Sequence, residues 1–356
     1  MKKPIYNFYS GPAVLPDEVR EQLIAWTRDF AGTGVGLAEI SHRSKPFVAL
    51  MEEARALARE LMGLPDTYTL LFLQGGASLQ FAQIPMNFLP AQGVASYADT
   101  GQWAGRAIDE AANYGRVHMA CSSREDGYLH IPDSLNVLPE SVYFHLTTNN
   151  TVYGTRWLNI PQLQIPLIAD MSSDILSAER DYTRFDLIYA SAQKNIGPPG
   201  VTLVAIRRQA FEKADRPIPA ILDYDAHIRA QSLYHTPDVW AVAGCLLCLR
   251  WIKQQSVARL AAANARKAAM LYDQLDRSEI FYCPVTTRDR SMMNVRFHAR
   301  KPEWEAAFLQ LAESEGLRGL KGYRTVGGFR ASIYNAMPES GVQRLTELLA
   351  DFESRL

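Results

Sequence analysis

The chain has 356 residues, 47% of them apolar, with 22 glycines and 19 prolines. That is the make-up of a packed globular protein long enough for a large domain and a smaller one. Lysine plus arginine (37) nearly balances aspartate plus glutamate (38), leaving a net charge of −1, so nothing points to nucleic acid or an anionic membrane as partner.

The opening MKKPIYNFYSGP has no apolar run behind its lysines, and no segment is long enough to cross a bilayer. A cytoplasmic protein without a secretory signal is therefore expected. Short apolar runs rich in β-branched and aromatic residues predict strands at YTLLFLQ (68–74), GVASYAD (93–99), SVYFHLTT (141–148), IPLIAD (165–170), FDLIYAS (185–191) and VTLVAIR (201–207). Helical stretches such as LQFAQIPMNFL (79–89) and GQWAGRAIDEAANYG (101–115) lie between them. This alternation predicts an α/β domain with a mostly parallel sheet.

VWAVAGCLLCLRWIK (239–253) reads as a buried helix, and its Cys245 and Cys248 as core residues. A zinc site would need a second ligand pair at matching spacing, and no metal is expected. From Ser256 the pattern changes. A long helix leads to SMMNVRFHA (291–299), a helix from Pro302, the strand-like GGFRASIYN (327–335) and a final helix from Ser340. The predicted division is a large domain over 16–258 and a small α/β domain made of 1–15 and 259–356.

The stretch DLIYASAQKNIGPPG (186–200) places one lysine, Lys194, just past the carboxyl end of a buried strand. Ligands of open α/β sheets bind at those ends. Taken alone, such a lysine reads as one that reaches solvent. Asp170 also ends an apolar strand, and alone it reads as a solvated carboxylate or an N-cap. Together the two suggest pyridoxal 5′-phosphate, which needs a lysine for its Schiff base and a carboxylate to keep its pyridine nitrogen protonated. Gly75-Gly76-Ala77-Ser78, between a strand and a helix, offers a phosphate cradle of backbone N–H groups and one hydroxyl. It lacks the Gly-Lys-Ser/Thr of a nucleotide P-loop. GTGVG (32–36) follows no clear strand, which argues against a dinucleotide site.

These motifs resemble the phosphoserine aminotransferase family, fold-type I pyridoxal-phosphate enzymes of the class V aminotransferase group. The resemblance spans the chain, through YNFYSGPAVLP, EISHRSKPF, LQGGASLQF, YADTGQWAGRA, NNTVYGT, IADMSSDILS, YASAQKNIGPPG, YHTPDVW and GGFRASIYNAMP. It implies a large domain with a mostly parallel sheet of the seven-stranded type. It also implies that Lys194 is the Schiff-base lysine, with Gln193 a cofactor contact beside it, and that Asp170 pairs with the pyridine nitrogen. Trp103 resembles the aromatic residue that stacks on the ring, Thr151 the hydroxyl near the ring oxygen, and Ala77 and Ser78 the phosphate-cradling positions. His235 and Thr236 match positions that reach the phosphate from a partner subunit, so a homodimer with shared sites is implied.

The implied reaction is amino transfer between L-glutamate and 3-phosphohydroxypyruvate in serine biosynthesis. The parallel step on a four-carbon phosphorylated keto acid in pyridoxine biosynthesis is a second role. Both substrates carry two separated anionic groups. By resemblance Arg330 holds the α-carboxylate, and His42 and Arg43, with Arg324 from the other subunit, hold the distal group. The chain departs from the family at His235, where asparagine is usual, and at Tyr323, where histidine is usual; Lys321 is the cation next to that second change. Another class V aminotransferase, a cysteine desulfurase and a silent pyridoxal-phosphate-fold binding protein are the rival readings. The desulfurase would need a thiolate on a mobile polar loop.

Overall fold

The structure, a computed structural model, describes residues 3–356. The chain enters through a two-residue strand, β1 (Tyr6–Asn7), and two helices, α1 (Asp17–Arg28) and α2 (Lys45–Met62). Helix α2 shows how local chemistry sets the elements. Ser44 caps its start by accepting from the Phe47 N–H at 3.5 Å, Pro46 sits in the first turn, and Gly63 ends it at φ 59°. Phe47, Leu50, Met51, Ala54, Leu57 and Ala58 recur at helical spacing and are buried.

Strands and helices then alternate as β2 (Thr69–Leu73), α3 (Gly76–Phe88), β3 (Val94–Asp99), α4 (Gln102–Ala111) and β4 (Arg116–Ser122). Next come β5 (Phe144–Thr147), β6 (Leu167–Asp170), β7 (Leu187–Ser191) and β8 (Thr202–Ile206). They form one seven-stranded sheet in the order β2-β8-β7-β6-β5-β3-β4. β8 is antiparallel to both its neighbours and every other pairing is parallel. Both faces are covered. Leu70 and Phe72 point into one apolar cluster with α1 and α2, whereas Leu71 and Leu73 point into another with α3 and α4. That double burial is why the strands read as continuous apolar runs.

Two details differ from the sequence reading. The strand–helix alternation stops after β4, because the connections 148–166 and 171–186 contain no α-helix. Buried side chains serve those connections instead. Thr148 Oγ1 donates to Asp174 Oδ1 at 2.5 Å, and Asn149 Nδ2 donates to Ser173 Oγ at 2.8 Å. The edge strand β4 lay outside the predicted set; its RVHMACS sequence is largely exposed and has no apolar run, and its pairing with β3 makes it a strand.

After α5 (Tyr224–Arg229), helix α6 (Val239–Gln255) packs on α2. Cys245 and Cys248 are buried within it, and burial pushes the Cys248 thiol up to about 12. A second core follows, built by α7 (Val257–Arg277), β9 (Phe281–Tyr282), β10 (Asn294–Ala299), α8 (Pro302–Ser314), β11 (Leu317–Arg318), β12 (Phe329–Ser332) and α9 (Glu339–Glu353). β10 lies between β12 and β9, antiparallel to both. Phe281, Phe297, Phe308, Phe329 and Phe352 form its aromatic centre. β1 pairs in parallel with β11, and Phe8 is buried in this same core. Among the described residues no helix is long and apolar enough to cross a membrane.

Candidate active site

Register brings the chemistry together. Asp170, the last residue of β6, lies opposite Thr147 of β5 and Tyr189 of β7. The three strands are parallel, so their carboxyl ends open at one place, where the chain leaves β7 into Ala192-Gln193-Lys194.

Lys194 Nζ donates to Thr151 Oγ1 at 2.9 Å and lies 5.7 Å from the centre of the Trp103 ring. Protein surrounds the amine, and burial lowers its pKa from 10.5 to about 8; Asp170 pulls it back up and Arg330 pushes it further down. Asp170 is 4% exposed. Burial raises its pKa, against the pull of Lys194 and of hydrogen bonds from Ser172, whose N–H reaches Oδ1 at 2.9 Å.

Trp103, the second residue of α4, packs against the apolar cluster on that face of the sheet. A Cβ on Gly101 would fall 2.7 Å from Asn150 Oδ1, so only glycine lets this turn lie against the 148–155 loop that carries Thr151. The Trp103 Nε1 is buried without a partner among the described residues.

The N-terminal segment closes over the lysine. The Ala13 N–H donates to the Gln193 carbonyl at 2.9 Å. Gly11 has φ 142°, and a Cβ there would crowd Lys194 Cγ at 3.3 Å. Arg330, on β12, donates to Ser10 Oγ at 2.6 Å and to the Thr151 carbonyl at 3.4 Å, leaving Nε buried and without a partner among the described residues. Burial lowers the pKa of its guanidinium, against the Tyr334 and Tyr323 phenols. Tyr323, one of the departures noted above, is thus near enough to influence Arg330.

At the end of β2, Gly75 takes φ 92° and starts α3. The Ala77 N–H donates to Ser191 Oγ at 2.6 Å, tying the cradle to the end of β7. Ser78 is exposed. His235 Nε2 meets Gln74 Oε1 at 2.7 Å, just before the cradle, and His42 is near enough to help lower the His235 pKa, after burial and His227. Arg43, Thr236 and Arg324 are exposed, and among the described residues no side-chain hydrogen bond holds them or His42.

The structure therefore gathers Lys194, Asp170, Thr151, Trp103, Gln193 and Arg330. It leaves His42, Arg43 and Arg324 without a contact to that group. The sequence reading gave no role to Ser10 or Tyr334, which brace Arg330; their places in YNFYSGPAVLP and GGFRASIYNAMP were the available signal. All four thiols, Cys121, Cys245, Cys248 and Cys283, have raised pKa values through burial, so none is poised as a thiolate.

A lysine with a lowered pKa, a buried carboxylate and an indole at the ends of parallel strands form the layout of a pyridoxal-phosphate transferase. The chain belongs to the class-V aminotransferases, whose family model matches residues 5–345. Within that class it is similar to phosphoserine aminotransferases. The Flavobacterium johnsoniae protein of that name is 46% identical over 100% of both chains. The solved phosphoserine aminotransferase from Bacillus circulans subsp. alkalophilus superposes with a TM-score of 0.96 at 40% identity, covering 99% of each chain. The pyridoxal-phosphate-bound structure from Trichomonas vaginalis gives 0.92 at 31% identity, covering 98% of this chain and 100% of that one. The cofactor of this enzyme is pyridoxal phosphate. The residues fit it: an amine of lowered pKa, a buried carboxylate, an aromatic face, and two buried N–H groups, on Trp103 and Arg330, that have no partner among the described residues.

Proposed function

We propose that this enzyme transfers the amino group of L-glutamate to 3-phosphohydroxypyruvate, giving O-phospho-L-serine and 2-oxoglutarate in serine biosynthesis, and that it also serves the four-carbon phosphorylated keto acid of pyridoxine biosynthesis. Bound pyridoxal phosphate supplies an aldehyde that takes up the amino group and a protonated ring that draws electrons from the substrate's α-carbon. The protein's part is binding, orientation and proton transfer.

Lys194 acts as the covalent anchor and, once free, as the base that takes the α-proton and returns it. A pKa near 8 keeps a useful fraction of its amine neutral close to neutral pH. Thr151 orients that amine through its 2.9 Å hydrogen bond. With the cofactor bound, Asp170 would keep a proton on the ring nitrogen, and Trp103 and Gln193 would help hold the ring. Ala77 and Ser78 cradle the phosphate, with His235 and Thr236 reaching it from the partner of a homodimer. Arg330 is already braced by Ser10 and Thr151 and takes the α-carboxylate. His42, Arg43 and Arg324 take the distal phosphate or γ-carboxylate. The exposure of Arg43 and Arg324 in one chain supports a site completed by a second. The same reading divides the chain into a cofactor-bearing part, 16–258, and a covering part, 1–15 with 259–356.

The observation that carries the proposal is the placement of Lys194 Nζ on Thr151 Oγ1, beside Asp170 and Trp103. Borohydride reduction of the holoenzyme followed by peptide mapping tests it. The label is expected on Lys194, and a label elsewhere refutes the assignment. A coupled assay with glutamate and 3-phosphohydroxypyruvate tests the substrates, and a yellow protein without turnover would contradict them.

A further inference from the structure

Lys267, on α7, is 1% exposed, and among the described residues no carboxylate lies within ion-pair distance of it. Its Nζ donates to three backbone carbonyls of the segment after β12, those of Ile333 at 3.0 Å, Tyr334 at 2.7 Å and Met337 at 3.1 Å. Glu339 is the carboxylate whose charge it feels, and Arg266 pairs with Glu339 at the surface. Burying a cation this way is costly, and burial lowers its pKa to about 7. Yet all three donors of an ammonium are engaged, a set that a shorter or apolar side chain would not supply.

One turn earlier, buried Asn264 donates to Asn335 Oδ1 at 2.8 Å and to the Ser177 carbonyl at 2.9 Å. Residues 333–337 are thus gripped from behind by α7, and they reach forward at two points. The Asn335 N–H donates to Asn195 Oδ1 at 3.0 Å, next to Lys194. The Tyr334 hydroxyl donates to the Ser10 carbonyl at 2.8 Å, and the Ser10 hydroxyl accepts from Arg330.

We propose that Lys267 is a positioning residue, which locks residues 333–337 so that one segment sets both the Lys194 turn and the Arg330 guanidinium. The proposal rests on the aminotransferase reading. It makes α7 the brace that couples the proton-handling lysine to the carboxylate-binding arginine. Misplacing such groups by an ångström is enough to slow a reaction by about 10²-fold.

The test is Lys267→Met in the holoenzyme. KM for glutamate should rise about tenfold or more, and the pH midpoint of the holoenzyme's visible absorbance should shift, in a protein whose circular dichroism and cofactor content match the wild type. A purely structural lysine would lower the melting temperature and leave both readouts unchanged, and that result overturns the proposal. If Lys267→Met does not fold, Asn264→Ala removes the second grip and keeps Lys267. The same two changes are then expected at a few-fold size, and their absence overturns it. Failure of the underlying reading is distinguishable, because it removes glutamate turnover from the wild type as well.

Discussion

The candidate residues fall into an inner group and an outer group that the chain treats differently. Asp170 and Thr151 are buried and Lys194 and Arg330 half-buried, and each is held by at least one hydrogen bond before any ligand arrives. His42, Arg43, Thr236 and Arg324 have no side-chain partner among the described residues. The inner group sits where strand ends and two cores meet, so packing fixes its geometry and burial shifts its pKa values. The outer group lies on exposed or half-exposed segments, where a charge keeps much of its water and its geometry is less constrained. Reaction chemistry needs the first kind of environment, because an amine must be partly neutral and a carboxylate must act over short range. Recognition of a hydrated, doubly charged group can use the second, with order supplied on binding.

Removing the reaction chemistry of the inner group should therefore slow turnover with every substrate, whereas removing a substrate-binding arginine, inner or outer, should change selectivity. The largest effect is expected for Lys194→Ala, which should lose transamination and the cofactor's lysine-dependent visible absorbance together; retention of both would erase the distinction. Asp170→Asn should follow, with kcat lowered on the order of 10²–10³-fold for both half-reactions and the cofactor still bound, as single-turnover absorbance would show. Arg330→Met comes next. Losing a forked, charge-assisted contact should reduce kcat/KM for glutamate by about 10²-fold, with a short amine that lacks a carboxylate affected far less.

For the outer group, Arg43→Ala should depress kcat/KM for the phosphorylated substrate about tenfold more than for a short apolar keto acid. Equal losses would move Arg43 out of the distal clamp.

The smallest effect is one of pH. Lys194 has its pKa lowered from 10.5 to about 8 in the folded chain. Between those values the unfolded chain binds the extra proton, so apoprotein stability should rise from about pH 8 to 10.5. The gain should be missing in Lys194→Ala, which denaturant melts across that window would show.

Much of the inner group was legible because its members end apolar strands. Asp170 closes LIAD and Lys194 follows LIYAS, and strand ends are where such sheets bind ligands. Arg330 was legible only through the resemblance, since on its own an arginine in FRAS reads equally as a surface charge. The bracing residues carried no pattern. Ser10 lies 320 residues from Arg330 and Asn149 lies 145 from Asn294, and no local periodicity encodes such pairings. Lys267 was hidden for a similar reason: in AAANARKAAM it looks like a solvated helix lysine, yet it is 1% exposed. Edge strand β4 was missed because pairing alone, without an apolar run, defines it.

The sequence by itself determined the order of strands and helices, the buried faces, the glycine-lined cradle and the residue types at the strand ends. Each of these follows from short-range sterics, hydrogen-bonding capacity and apolar spacing. The folded structure alone decided which polar groups meet, which of them lose water, and so which amines and carboxylates have shifted pKa values. Desolvation and long-range contact are properties of packing, and packing exists only once distant parts of the chain have closed on one another.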